Sequence, residues 1–234
     1  MIFSDTSALI AYLRSHANPR KATFDAQLIP NLQHEILGWA VPALRQLAKD
    51  LIRTDAGKAL QLTENTANLH EMILLRGFVI GYAHWEWPQK AQAIQTFIPL
   101  ITDWAVCDMF CCTLTDIRKH REEGWSMLQQ YIDSGLEFEQ RFAVVMLMEH
   151  FLTEDYFDRV INLLRGLQPA GYYASMAVGW ALQAAFVHHP DRVFPLLSDT
   201  SIDLESRMLA RKKILESLRT PENWRFCVKV LKIT

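Results

Sequence analysis

Apolar residues recur at three- and four-residue intervals along almost the whole chain, the period of a helix with one buried stripe. Strict apolar/polar alternation is missing, as are the Asn-Gly and Asp-Gly pairs that mark tight hairpins. The pattern predicts an all-α protein with helices over 5–16, 42–54, 68–85, 89–101, 104–119, 125–134, 137–152, 154–166, 172–188 and 203–219. Asp103 is placed to cap the helix that opens at Trp104, and Thr153, followed by Glu154 and Asp155, to open the helix over 154–166. Gly135, Gly166 and Pro190 read as stops.

The pattern also repeats. "RFAVVMLMEHFLTEDYFDRVINLL" from Arg141 lies over "SMAVGWALQAAFVHHPDRVFPLL" from Ser175, with Ala143-Val144 matching Ala177-Val178 and Asp158-Arg159-Val160 matching Asp191-Arg192-Val193. The offset is 34 residues and then, after a one-residue deletion, 33, and two helices fit in each unit, which is the mark of a helical solenoid. Carried backwards, the register places Arg76, Asp108, Arg141 and Ser175 in equivalent slots. The segments around them are apolar on nearly every side, so they read as inner helices whose polar residues face a concave groove.

Composition adds few constraints until its distribution is considered. Half the residues are hydrophobic and the formal charge is −2, with no long uncharged apolar run and no signal-like N-terminus, so the expectation is a cytoplasmic protein without a membrane segment. The charge is uneven. From Glu205 to Thr234 eight Lys or Arg stand against three Glu, a net +5 that leaves −7 for the preceding 204 residues. Such a segment is either a solvated face or a nucleic-acid contact. The four cysteines, Cys107, Cys111, Cys112 and Cys227, lack metal-ligand spacing and read as reduced thiols; no metal and no cofactor are expected.

The candidate chemistry sits in "TDWAVCDMFCC". Asp108 is the only charged residue among the twelve positions from Trp104 to Thr115, and Trp104 lies one helical turn before it on the same face. "DWAVCD", "EFEQRFAVVML" and "GYYASMAVGWAL", with "VPALRQLAKD" and "LLRGFVIGYA", resemble the AlkD-like family of HEAT-repeat DNA glycosylases over roughly residues 41 to 218, and within it a shorter, divergent branch. The resemblance implies a right-handed superhelical solenoid of HEAT-like antiparallel helix pairs, forming one DNA alkylation repair domain over residues 1–234. It implies hydrolysis of the N-glycosidic bond of N3- and N7-alkylated purines in duplex DNA by a monomer without a metal.

By the same resemblance Asp108 matches the catalytic aspartate, Trp104 and Trp180 the indoles of the cleft, and Arg141 an arginine that grips DNA backbone near the lesion. Further phosphate contacts are assigned, on charge and location alone, to Arg45, Lys49, Arg76, Arg211, Lys212 and Lys213. The chain departs from the pattern at Ala40, where the family commonly has arginine, at the adjacent bulky Trp39, and at Ser175, where it usually has lysine. These departures keep two other readings open: a non-catalytic protein that binds branched or distorted DNA, and a HEAT-type scaffold for a protein partner. An open solenoid groove offers no obvious snug pocket for an extruded base.

Overall fold

The computed structural model describes residues 3–29, 32–66 and 68–233. Among them the chain forms fourteen α-helices with short 3-10 turns between some of them and no strand; the sole β-type pairing is an isolated bridge between Glu35 and Leu69. The protein is all-α. It divides into two compact units, residues 1–115 and 116–234. No helix among the described residues is long and apolar enough to cross a membrane.

The first unit holds α1 (Thr6–Ser15), α2 (Pro19–Leu28), α3 (Val41–Thr54), α4 (Ala56–Leu62), α5 (His70–Tyr82), α6 (Trp87–Phe97) and α7 (Trp104–Cys111). Within it α3 packs on α5 and α5 on α7, in chain order. Helix α5 is buried on every side, from His70 to Gly81 with only Arg76 and Tyr82 partly exposed, which is why its apolar residues show no single stripe. Gly77 lets Phe97 and Phe110 approach: a Cβ there would lie 3.0 Å from the Phe97 ring. Gly81 is packed harder still, since a Cβ would overlap the Thr113 hydroxyl.

The second unit holds α8 (Arg121–Ile132), α9 (Glu137–His150), α10 (Phe157–Gly166), α11 (Tyr172–His188), α12 (Pro190–Val193), α13 (Leu204–Glu216) and α14 (Glu222–Val230). Here α9 packs on α11 and α11 on α13, again in chain order. The Asp-Arg-Val repeat has a physical meaning in this unit. Val160 and Val193 are fully buried, while Arg159 and Arg192 each reach back about one repeat length to carboxylates, Arg159 to Glu122 at 2.9 Å and Arg192 to Asp158 at 2.8 Å and Glu154 at 2.9 Å. Each guanidinium also lies over an aromatic ring, Arg159 4.3 Å from Trp125 and Arg192 3.9 Å from Phe157.

The helix boundaries correct several expectations. Helices α2, α4 and α14 were not anticipated, because each is short and offers few apolar positions to set a period. The helix expected over 104–119 stops at Cys111, where the Thr113 hydroxyl bonds the Phe110 carbonyl, and a separate 3-10 turn covers Thr115–Lys119. The helix expected over 154–166 begins at Phe157, with the Thr153 carbonyl accepting from the Tyr156 and Phe157 amides. Pro190 follows the end of α11 at His188, as expected of a stop, and also opens the short α12.

Gly179 on α11 packs against the neighbouring helix α13. A Cβ there would lie 2.8 Å from Leu209 Cβ, 2.9 Å from the Ala210 nitrogen and 3.1 Å from the Ser206 carbonyl oxygen, so glycine is what allows α11 and α13 to touch backbone to backbone. Gly179→Ala is expected to lower stability by about 1–3 kcal/mol, the usual cost of overpacking a close contact. Urea denaturation checks it, and a variant as stable as wild type would mean that α13 can shift freely.

Candidate functional site

Helix α7 starts because Asp103 caps it. The carboxylate accepts from the Ala105 and Val106 amides, both at 2.9 Å, and its other oxygen meets His70 Nε2 at 3.2 Å. Burial alone would raise the Asp103 carboxyl; the hydrogen bond and charge of His70, with the two amides, outweigh it and hold the group below the ordinary aspartate value. The start of the helix that carries Trp104 and Asp108 is therefore fixed to α5 from inside the core.

Trp104 is half-buried, and its Nε1–H donates to the Leu28 carbonyl at the end of α2, 3.1 Å away. The ring is held by its edge. Asp108, also half-buried, lies one turn further along α7 and about 40° round the helix from Trp104, between the directions of Trp104 and Ala105. Beside them is a cavity of about 150 Å³. Its floor is the buried set His70, Glu71, Leu74 and Ala105, and its rim includes Trp39, Val41, Trp104 and Met109.

One wall of that cavity is built by Glu71, whose carboxylate is 2% exposed. It accepts from the backbone amides of Leu37 at 2.9 Å, Gly38 at 2.8 Å and Trp39 at 3.2 Å. Gly38 has φ +82°, and a Cβ there would collide with the Asn18 carbonyl and the Ala22 nitrogen, so only glycine lets this loop pass so close to the start of α2. Trp39 then lies on the rim, its Nε1–H bonded to the Leu13 carbonyl at 2.9 Å. The sequence singles out Trp39 only as a departure in size and does not single out Glu71, Lys21, Asp25 or Leu28; a glutamate at the start of a largely apolar helix was the available signal for the first.

The other residues assigned from the sequence are placed unevenly. Arg45 is engaged inside the first unit: its guanidinium donates to Tyr82 Oη at 2.7 Å and Cys112 Sγ at 3.0 Å and lies 5.0 Å from the Phe78 ring centroid. Lys49, one turn on, sits 5.0 Å over the Tyr82 ring. Arg76 falls two residues, about 200°, round α5 from the cavity-lining Leu74, on the opposite side of the helix. Its Nε and Nη1 are buried without a hydrogen-bond partner, and that burial lowers its pKa while the charge of Glu64 acts in the other sense.

In the second unit Trp180 is 37% exposed on α11. Arg141, expected as an open phosphate contact, is 3% exposed; its Nη1 donates to the Tyr173 carbonyl at 2.9 Å and its guanidinium lies 5.9 Å from the Tyr173 ring centroid. Ser175 is buried as well. The reason is common to both: α9 and α11 are covered nearly all round, so a polar residue on them need not face an open groove. In the basic C-terminal segment Arg211 is committed to the Val228 and Lys229 carbonyls near the end of α14, Lys213 lies 3.6 Å from Glu216, and Lys212 remains largely exposed, 4.0 Å from the same carboxylate.

All four cysteines are free thiols, and no cluster of three potential metal-ligating side chains occurs among the described residues. What the arrangement around α7 offers is a fixed indole face, a carboxylate one turn away and a small aromatic-rimmed cavity. Of the comparisons with known proteins, a family described as DNA alkylation repair enzyme matches residues 9–217, a span covering most of both units. No curated protein matches the chain significantly.

Asp103→Asn tests the foundation of the site. The depressed carboxyl stabilises the fold above its unfolded value, near pH 4, and that contribution is lost as the pH falls through the folded value. Wild type is therefore expected to be more stable than Asp103→Asn by about 1 kcal/mol or more at pH 7, with the gap closing in acid. Urea titrations at pH 7 and below pH 4 measure it; a gap independent of pH would contradict the assignment.

Proposed function

The chain belongs to the DNA alkylation repair enzyme family, and from that premise we propose that it is a DNA glycosylase hydrolysing the N-glycosidic bond of cationic N3- or N7-alkylated purines in duplex DNA. The observation that carries the reading is Asp108: a half-exposed carboxylate on an otherwise apolar helix, one turn from an indole whose edge is already bonded to backbone. The helix pairs are taken to stack as a HEAT-like solenoid forming one domain. The consecutive packing of α3, α5 and α7, and of α9, α11 and α13, supports that arrangement.

The chemistry asks little of the protein. An alkylated purine carries a positive charge and leaves readily, the electrons of the C1′–N bond going to the base and neutralising it. Positive charge then develops on the sugar. The Asp108 carboxylate stabilises that oxocarbenium ion electrostatically and orients the water that adds to C1′, accepting its proton as the new C–O bond forms. The Trp104 face favours cations by about 0.5–2 kcal/mol, which helps both the charged base and the charged sugar. Trp180 is given the same role and Arg141 a part in holding the backbone, both on the family resemblance. Lys49 and Lys212 are the exposed candidates for phosphate contact, whereas Arg45, Arg76 and Arg211 would have to leave the settings described above.

A non-catalytic protein that binds distorted DNA is the second reading, favoured by the buried Arg141 and by Ser175 in place of a lysine. Single-turnover release of N7-methylguanine or N3-methyladenine from alkylated duplex DNA separates the two. Wild type is expected to release base and Asp108→Asn to do so at least ~100-fold more slowly, the scale on which a single electrostatic group in an active site acts. Wild-type protein that binds the duplex and releases nothing would overturn the glycosylase reading.

Lys212→Ala should weaken binding to alkylated and unmodified duplex alike and lower the slope of log affinity against log salt by about 1. Titrations at several salt concentrations read this directly, and an unchanged slope would remove Lys212 from the DNA contact.

A further inference from the structure

We propose that the outer face of α13 is a self-association surface, and that its occupant is the α13 of a second copy of this chain, laid antiparallel across a two-fold axis. The proposal goes beyond the glycosylase reading and does not depend on it. It starts from the way the second unit is stacked. Helix α9 packs on α11 and α11 on α13, and that row of long helices ends with α13. Ser206, Leu209 and Ala210 meet α11 at Gly179, while Leu204, Met208, Arg211 and Leu215 lie on the opposite side, about 180° round the helix. That is the side on which a further helix of a stacked array would pack, and an end unit is normally polar there. Here it is not: Leu204 is 47% and Met208 59% exposed, and the stripe lines an open trough of about 900 Å³.

The spacing of the stripe selects a helix as the occupant. Steps of four, three and four residues keep Leu204, Met208, Arg211 and Leu215 within about 60° of one another, which is the seam spacing of a two-stranded coil. Arg211 does not interrupt it. Its Nε and Nη2 donate to the Val228 and Lys229 carbonyls near the end of α14, so the charged head is drawn aside and the seam is offered the aliphatic stem.

The charges beside the seam then select which helix. Glu205 follows the first seam residue and Lys212 the third, both exposed and on one flank of the stripe. A parallel copy would set Glu205 against Glu205 and Lys212 against Lys212. An antiparallel copy sets Glu205 of each chain against Lys212 of the other, twice, and in the same register brings Leu204 opposite Leu215 and Met208 opposite the Arg211 stem. The face is therefore complementary to itself, as a two-fold contact requires. Three turns of helix bury well under the roughly 800 Å² that each partner contributes to a standard stable complex, so the expected dissociation constant is on the order of 10 µM. The monomer implied by the family resemblance is then the state of dilute protein.

Analytical ultracentrifugation of the full chain, without DNA and under reducing conditions, tests this between about 1 and 200 µM, a range that brackets the expected constant. The average mass is expected to climb from that of one chain towards twice that value. Met208→Glu sets a carboxylate in the middle of the seam from an exposed position and is expected to weaken association at least ~tenfold. Glu205→Lys and Lys212→Glu each turn two attractive pairs into two repulsive ones, and each is expected to weaken it about fivefold or more. Mixed in equal amounts, those two variants carry opposite charges at both contacts and are expected to associate with each other as wild type does with itself; recovery in the mixture excludes misfolding as the cause of either loss. A chain that stays single throughout, leaving the face to some other partner, would overturn the proposal. So would association indifferent to Met208→Glu, or a mixture of the two charge variants that associates no better than either alone.

Discussion

A single buried carboxylate, that of Glu71, fixes the geometry around the Trp104 indole in the first unit. Three consecutive amides, those of Leu37, Gly38 and Trp39, converge on it, and hydrogen bonds to a charged acceptor in the interior contribute about 1.5–3 kcal/mol each. No neutral side chain of similar shape offers the same set of acceptors. Because the loop is drawn onto α5, its glycine must pass against the backbone of α2, and because α2 is thereby located, the Leu28 carbonyl is in place to take the Trp104 indole. The buried acid thus acts at a distance: it holds a loop, the loop positions a helix, and the helix end holds the ring beside Asp108.

Elsewhere the same logic is met with cations. Arg159 and Arg192 occupy matching positions of successive repeats and make matching contacts, a carboxylate from the preceding repeat and an aromatic face beneath the guanidinium. Exposed ion pairs of this kind contribute little by themselves, about 0–1 kcal/mol. They tie successive repeats together, while the close contacts that Gly77, Gly81 and Gly179 allow bring neighbouring segments near to one another. Arg141 belongs to the same economy of buried, satisfied polar groups, with its charge turned towards the Tyr173 carbonyl and ring.

The helical class and the order of the long helices were legible in the sequence because α3 and α10 carry a clear apolar stripe and α5, α7, α9 and α11 are dense in apolar residues. Asp103 as a cap was legible too, since a carboxylate directly before an apolar run has few other uses. Helices α2, α4 and α14 were not, being short and weakly patterned. Within the site, Trp104 and Asp108 were visible as a pair one turn apart, but the orientation of Arg76, Arg141 and Ser175 was not. A repeat alignment fixes which residues are equivalent along the chain only to within a residue or two, and each residue is 100° of helix. Glu71 and Trp39 escaped for a different reason: their partners are backbone atoms, which no pattern of side chains reveals.

The indole-to-carbonyl bond between Trp104 and Leu28 spans 76 residues, whereas cross-helix bonds such as Leu37 to Glu71, His70 to Asp103 and Arg192 to Asp158 span 33 or 34. Loop closure grows costlier with separation, so neighbouring segments can dock on one another before that clasp shuts. A nascent chain paused before residue 104 holds the segments of α1 to α6 and lacks both the Trp104 indole and the Asp108 carboxylate on which the proposed reaction rests.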